Sequence, residues 1–128
     1  MTETLDLTLY GDTHHLRLNN AWLRWTNRHA AAAHTRRLRA ETAAVVTEML
    51  DNGTATVCHA PCYIVAQLTT PTRRFPDADA ISITCKHIID GIVDAGALPD
   101  DSPEHVRSVT YLHPIKTGRR SIRIRIHH

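Results

Sequence analysis

The sequence lacks any long run of apolar residues. Its longest apolar stretches are far shorter than the roughly 20 residues that a membrane-spanning helix needs. Residues 1–20 also lack the apolar segment of a secretory signal peptide. We therefore expect a protein with no membrane partner that stays in the cytoplasm.

Three familiar signatures of catalysis and cofactor binding are missing as well. The chain contains no glycine-rich phosphate loop, no dinucleotide-binding fingerprint and no Ser-His-Asp set. It has no internal repeat and no low-complexity tract, so we expect residues 1–128 to form a single domain. Any chemistry must come from other residues.

Cysteine is scarce, and its count is odd. Cys58, Cys62 and Cys85 suggest reduced thiols rather than a framework of disulfides. With His59 and His87 they raise the alternative of a zinc site, but the C-x₃-C spacing has no matching second pair. Cys62 also opens a predicted strand and Cys85 lies on a predicted apolar stripe. Buried thiols are therefore the favoured interpretation.

What the chain does have is a separation of charge along its length. The formal net charge is only +2, with 22% charged and 42% hydrophobic residues, which is ordinary for a globular protein. Acidic residues are concentrated between positions 77 and 104. A basic surface around an acidic focus is typical of a protein that binds a polyanion and brings metal to it. The arginines grouped on either side of the acidic stretch include Arg24, Arg28, Arg36, Arg37, Arg39, Arg73, Arg74, Arg107, Arg119, Arg120, Arg123 and Arg125.

Hydrophobic periodicity predicts an α+β fold in the order β-α-β-α-β-β. We expect a small mixed sheet of about four strands with two main helices. The first two predicted strands are "LDLTLYG" and "CYIVAQLTT". The last two, "EHVRSVTYLHPIK" and "RRSIRIRIHH", flank Thr117-Gly118 and are interpreted as an antiparallel hairpin.

The two main helices are predicted from composition and apolar spacing. The first spans about residues 28–50, behind a cap at Asn27 or Thr26, because this stretch is rich in Ala and free of Gly and Pro. The second spans about residues 80–95 and ends at Gly96. Their predicted buried stripes are Leu38, Thr42, Val45 and Met49 in the first helix and Ile81, Cys85, Ile88, Ile92 and Ala95 in the second.

The second predicted helix has a pair of acids at each end. Asp77 and Asp79 precede it, and Asp100 and Asp101 follow it. In an extended segment the side chains of Asp77 and Asp79 share a face, and two nearby carboxylates repel each other unless a cation neutralises them. Mg²⁺ suits such a pair because it prefers oxygen ligands. The alternative is that the first pair only caps the helix and the second only forms a turn.

A straight helix of this length would separate the two pairs by roughly 24 Å at ~1.5 Å per residue. One metal centre would therefore need the segment after Gly96 to fold back towards Asp77, or a second subunit to close the site. Lys86 lies between the pairs and could stabilise the charge on a phosphate. Its alternative role is a surface ion pair with Asp90.

Residues 73–106, "RRFPDADAISITCKHIIDGIVDAGALPDDSPEHV", resemble the RusA-type crossover junction endodeoxyribonucleases, the Holliday-junction resolvases of many phages and prophages. The shared features are basic residues before a D-x-D, an apolar helix with an embedded lysine, the "DGIVDAG" stretch and a final acidic pair. Residues 16–39, "LRLNNAWLRWTNRHAAAAHTRRLR", resemble the family's asparagine-bearing entry to a basic helix. The similarity thus covers most of the chain.

The resemblance implies a homodimer that resolves four-way DNA junctions by paired phosphodiester cleavage, in recombination and repair. It implies Mg²⁺ as the cofactor, with Mn²⁺ as an alternative metal, and a phage- or prophage-encoded protein in a bacterial cytoplasm. The implied catalytic residues are Asp77, Asp79, Lys86 and Asp101, and the implied metal ligands are Asp77, Asp79 and Asp101, with Asp100 ranked next. The residues expected to contact DNA are Arg73, Arg74, Arg36, Arg37, Asn19 and Asn20.

Two departures from the family pattern leave other functions open. The family's asparagine after the second aspartate is Ala80 here, and Lys86 lies further beyond Asp79 than in many members. A junction-binding protein with weakened catalysis is one alternative. A small, non-enzymatic regulatory or assembly protein is another.

Several other residues have two interpretations. Trp22 and Trp25 either anchor the core or stack on exposed bases, and Asn19 and Asn20 either cap the chain or lie at the junction. Solvated surface is favoured over phosphate contact for four histidines: His14, His15, His29 and His34. His127 and His128 could be the remnant of a purification tag and are left out of any site.

Overall fold

The computed structural model describes all 128 residues, and it has the predicted α+β architecture. None of its helices is long and apolar enough to cross a membrane. The elements in chain order are β1 Glu3–Tyr10, α1 Asn19–Leu23, α2 Arg28–Asp51, β2 Cys62–Thr70, a 3₁₀ turn Ala78–Ile81, α3 Ser82–Asp94, β3 Val106–Tyr111, β4 Ile115–Lys116 and β5 Ser121–His127.

The strands form one mixed sheet in the order β1-β5-β2-β3, with β4 also paired to β2. Strand β2 is antiparallel to β5 on one side and parallel to β3 and β4 on the other. The predicted hairpin between the last two strands is therefore wrong, because β2 lies between them. The Thr117-Gly118 turn carries the chain across β2 instead of back along β3.

The physical reason for this arrangement lies in the strand compositions. Strand β5 buries Ile122, Ile124 and Ile126 on the apolar face of the sheet and pairs with a neighbouring strand on each side. Most of β3 is exposed, which suits an edge strand. A local turn signal reports that the chain reverses, but not which strand it then joins.

Helix α2 begins as predicted behind Asn27, whose side chain accepts a hydrogen bond from the Ala30 N–H at 3.0 Å. Its buried row is His34, Leu38, Thr42 and Val46. The prediction of Leu38 and Thr42 is confirmed. The prediction of Val45 is wrong, because that side chain is 38% exposed. The row follows every fourth residue, the spacing of one of the ridges along which helices pack.

Helix α3 is preceded by the short 3₁₀ turn and ends before Gly96, whose φ of +86° is the left-handed conformation that glycine adopts readily. Four of the five predicted stripe residues are fully buried: Ile81, Cys85, Ile88 and Ile92. Gly91 lies where α3 touches α2. A Cβ there would come within 2.7 Å of both the Arg39 carbonyl oxygen and the Thr42 Cβ, so the close approach requires glycine.

Helices and strands share one hydrophobic core. Residues of α2 and α3 belong to the same buried cluster as the inward-facing residues of the three long strands β1, β2 and β5. Alternate residues of these strands point the other way and are more exposed, for example Asp6 and Arg123, which form a two-bond ion pair at 2.6 and 2.8 Å. The sheet thus has one apolar and one largely polar face.

Candidate functional site

The first acidic pair lies in the segment that leads from β2 into α3. Asp77 directly precedes the 3₁₀ turn and Asp79 lies within it, and both side chains are exposed. They line an open cleft of about 430 Å³ together with Asn19, Asn20 and Phe75. The acids that the sequence places before the helix therefore reach a concave surface.

Neither carboxylate of this pair has a partner within the protein. Asp77 occupies the capping position of the 3₁₀ turn, but its side chain makes no capping hydrogen bond. No salt bridge involves Asp77 or Asp79. Asp77 is therefore not a hydrogen-bonding cap, whereas Asp79 lies in the first turn, where a helix dipole favours an acid. Their oxygens are open to a ligand.

Asn19 organises the wall of this cleft. Its side-chain oxygen accepts a hydrogen bond from the Ile83 N–H at 3.0 Å, and its amide donates to the Ser82 Oγ at 2.8 Å and the Asp79 carbonyl at 3.2 Å. Asn19 thus caps α3 from outside and joins α1 to the turn that carries the acids. Asn20 is exposed beside them.

The second acidic pair is drawn back along α3. Ala97 and Leu98 are buried in the core, and the Ala97 carbonyl accepts a hydrogen bond from the Cys58 N–H at 3.0 Å. The following residues therefore return beside the helix instead of continuing away from it. As a result the Lys86 Nζ donates a hydrogen bond to the Asp101 Oδ2.

Lys86 also donates to the Asp90 Oδ1 at 3.0 Å, so the predicted surface pair is present as well. Asp101 raises the pKa of the Lys86 ammonium further above its usual value, and Asp90 adds to this effect. The hydrogen bond from Lys86 in turn lowers the pKa of the Asp101 carboxyl. Lys86 is therefore a fixed positive charge rather than a general base.

The two acidic pairs remain separate along the helix, with Lys86 between them. No group of three or more His, Cys, Asp or Glu side chains lies close enough together to hold a metal ion. Asp100 and Asp101 are both engaged, since the Asp100 Oδ1 accepts a hydrogen bond from the Asp101 N–H at 2.8 Å. The single metal centre that the sequence predicts from both pairs thus stays a prediction.

Asp77 and Asp79 nonetheless fit a magnesium ion by their chemistry. Two exposed carboxylates without internal partners offer the hard oxygen ligands that Mg²⁺ prefers. In proteins Mg²⁺ is often held by only one or two carboxylates, with water and substrate phosphate completing its shell. Two carboxylates can thus be the whole contribution of a protein to a Mg²⁺ site.

Tyr111 is a neighbour of this region that the sequence analysis missed. It ends β3 and is partly buried against the core. Burial raises the pKa of its phenol, and the negative charge of Asp79 raises it further. Its hydroxyl therefore lies within electrostatic reach of Asp79. A tyrosine at the end of a strand carries no sequence signal for such a position.

The four arginines predicted to contact DNA are all exposed and make no salt bridge. Arg73 and Arg74 are exposed in the segment that leads directly to Asp77, and Arg36 and Arg37 are exposed on α2. Arg39 is different, because its guanidinium is held by the Asp94 carboxylate through bonds of 2.9 and 3.0 Å.

The cysteines are free and buried, as the interpretation as reduced thiols requires. Burial raises the pKa of the Cys62 thiol to about 11 and that of the Cys85 thiol to about 12. Both thiols are therefore protonated at neutral pH.

The tryptophans and one histidine belong to a packed aromatic cluster. The Trp22 indole N–H donates to the Thr84 Oγ1 at 2.8 Å, which favours the anchoring role. His34 is only 3% exposed, and its ring lies 5.4 Å from the ring centroids of both Trp22 and Trp25. The expectation of a solvated His34 is therefore wrong, because α2 turns this position towards α1. Its burial lowers the pKa of the imidazole.

Comparison with known proteins adds no assignment to this geometry. No protein-family model matches the chain, and no curated protein matches it significantly.

Proposed function

We propose that this protein is a Mg²⁺-dependent endonuclease that cleaves branched DNA, with the four-way junction as its substrate. One observation carries the proposal. Two exposed carboxylates without internal partners, Asp77 and Asp79, line a cleft at the start of α3, next to a segment that bears two unpaired arginines. The resemblance of residues 73–106 to junction resolvases supports the same activity.

The proposed roles follow from the contacts of each side chain. Asp77 and Asp79 would hold the metal, which supplies Lewis acidity and an activated water when bound. Lys86 contributes a positive charge that can stabilise charge building up on a phosphate, and Asp101 positions its ammonium group. Arg73 and Arg74, exposed in the segment before Asp77, would contact other phosphates of the same strand.

A two-fold dimer suits this activity, because a four-way junction presents two equivalent strands for cleavage. One chain of 14.4 kDa offers little surface to contact four DNA arms. Light scattering at micromolar concentration should give about twice the chain mass. A monomer that cuts both strands in concert would contradict the dimer.

The experiment is cleavage of a synthetic four-way junction in Mg²⁺ or in EDTA, with a linear duplex of the same sequence as control. We expect symmetric nicks in the junction, only in the presence of metal. If the protein neither binds nor cleaves the junction, the proposal fails and a small regulatory or assembly protein becomes the better explanation.

A second candidate is a protein that binds junctions without cutting them. It is favoured by the pairing of Asp101 with Lys86, which leaves only two acids free, and by Ala80 beside Asp79. Tight binding in Mg²⁺ with no cleavage product would support this candidate and contradict the first.

A further inference from the structure

A second cleft, of about 700 Å³, lies where the ends of β1, β2 and the turn before β5 meet. It shares no lining residue with the cleft of Asp77 and Asp79. The two are linked by one segment of chain, because Arg74 lines the larger cleft and the next residue, Phe75, lines the acidic one. We call the larger one the basic cleft. Its lining residues are Gly11, Asp12, Thr13, Thr70, Pro71, Thr72, Arg74, Gly118, Arg119 and Arg120.

Three arginines line the basic cleft, and none is paired with a carboxylate. Elsewhere in the molecule Arg39 is held by Asp94 and Arg123 by Asp6. Arg74, Arg119 and Arg120 have no such partner. Unpaired guanidinium groups gathered in a concave site create a positive potential that attracts anions.

Two of these arginines are held in place by the protein. The Arg119 guanidinium lies over the ring of Tyr10, 4.0 Å from its centre, which orders the group without using its N–H donors. Arg120 is half-buried and makes one hydrogen bond, from Nη2 to the Leu16 carbonyl at 2.9 Å, while its Nε finds no acceptor. An ordered cation loses less entropy when it binds a ligand.

The one carboxylate in the cleft is already engaged. The Asp12 Oδ1 accepts hydrogen bonds from the backbone N–H groups of His14 and His15 at 3.0 and 2.9 Å. Three arginines against this one acid leave the lining with a formal charge of 3 − 1 = +2.

The remaining lining residues also favour an anion. Thr13 and Thr72 are exposed and bring hydroxyl groups, whereas the buried Thr70 hydroxyl already donates to the Thr72 carbonyl. Arginines with hydroxyl groups are the usual partners of phosphate.

We propose that the basic cleft binds a backbone phosphate of the DNA strand whose cleavage we assign to Asp77 and Asp79. The identity of the strand rests on the proposed function, whereas phosphate binding by the cleft does not. A strand is favoured over a free phosphate compound because the cleft is open and residues 74–77 lead directly from its lining to that of the acidic cleft, so one extended strand can contact both. The cleft thereby fixes the position of the strand at a distance from the reacting bond.

The test measures binding of a labelled single-stranded oligonucleotide in EDTA, so it needs no cleavage. The variant is the double substitution Arg74→Gln with Arg119→Gln, since both residues are exposed. Arg107→Gln is the matched control, because Arg107 is equally exposed on β3 and lines no cleft. Thermal melting of each variant verifies that it is folded.

We expect the double variant to bind more weakly and to lose about one unit of the slope of log affinity against log salt for each arginine removed. The control should keep the slope of the unchanged protein. Equal slopes for all three proteins would overturn the proposal.

Competition distinguishes the two sources of phosphate. Inorganic phosphate and a mononucleotide should displace the oligonucleotide only at far higher concentrations than unlabelled oligonucleotide does. If a mononucleotide competes as well as the oligonucleotide, the cleft is a site for a free phosphate compound and the assignment to a strand is wrong. Loss of slope in a protein that cuts no junction would leave the cleft in place and reject the nuclease.

Discussion

The two acidic pairs at the ends of α3 have the same composition and opposite surroundings. Asp77 and Asp79 have no partner, whereas Asp100 accepts a backbone hydrogen bond and Asp101 holds Lys86. The positive end of the helix dipole can stabilise acids before the helix, but acids near its C-terminal end face the negative end. Two acids at this end of the helix are paired with a base. Asp94 accepts a hydrogen bond from Arg39, and Asp101 accepts one from Lys86.

The role of an aspartate thus depends on whether its carboxylate oxygens already accept hydrogen bonds from other groups of the protein. A carboxylate with free oxygens can bind a metal, whereas one that holds a lysine fixes the position of that lysine. If this distinction is correct, changes in the two pairs should affect different properties of the protein.

The largest effect is expected from the unpartnered pair. Asp77→Asn or Asp79→Asn keeps the shape of the side chain but removes a charge that Mg²⁺ needs, so junction cleavage should fall below detection. Binding should survive or tighten, because repulsion of DNA phosphate decreases. Gel assays of cleavage and binding measure both. Asp51→Asn, at the exposed end of α2, is the control, and near-normal cleavage by both site variants would remove the metal assignment.

A smaller loss is expected at the lysine that the second pair holds. Lys86→Ala should lower the single-turnover cleavage rate about 10²-fold, as for loss of one positioned electrostatic group. Asp90→Asn removes only the surface partner and should leave the rate nearly unchanged. A normal rate for Lys86→Ala at saturating junction would show that the lysine only joins the loop to the helix.

A change that shifts the whole helix should disturb both pairs alike. Gly91→Ala places a Cβ against the α2 backbone and should destabilise the protein by about 1–3 kcal/mol, as overpacking does. Gly118→Ala is the control, because nothing lies within 4 Å of a Cβ there. Urea denaturation measures the difference. Equal free energies of unfolding would mean that α2 and α3 do not approach as closely as described.

The smallest effect concerns the titration of the engaged pair. Lys86 lowers the pKa of Asp101 below its usual 3.8. The ion pair therefore contributes its stability above that value and loses it as the pH falls through the lower folded pKa, by at most about 1 kcal/mol for an exposed pair. NMR titration should show the Asp101 pKa rising in Lys86→Met. Asp6, whose pKa is lowered by Arg123, should not change, and an unshifted Asp101 would contradict the pairing.

Composition, apolar spacing and capping residues predict the elements that depend only on interactions between residues close in sequence. The span of α2, the cap at Asn27 and the glycine after α3 follow from composition and spacing alone. The place of β5 between β1 and β2 does not, because it depends on pairing between strands that are far apart in sequence.

The same limit applies to the candidate site. The acids and Lys86 are evident in the sequence, but the contact between Lys86 and Asp101 depends on the burial of Ala97 and Leu98, which turns the loop back. The position of Tyr111 near Asp79 depends on strand order. Contacts between residues far apart in sequence determine both the Lys86–Asp101 pair and the position of Tyr111. A sequence motif shows only which residues are present.

The position of β5 also has a consequence for how the chain folds. Strands β1 and β2 share no ladder, and both pair with β5, so the sheet cannot close until residues 121–127 are available. The backbone of Thr2 even exchanges two hydrogen bonds of 2.8 Å with His128. Contacts this distant in sequence slow folding. During synthesis β1 and β2 therefore stay unpaired with β5 until residues 121–127 have been made. Truncation before Ser121 would remove a strand from inside the sheet rather than from its edge.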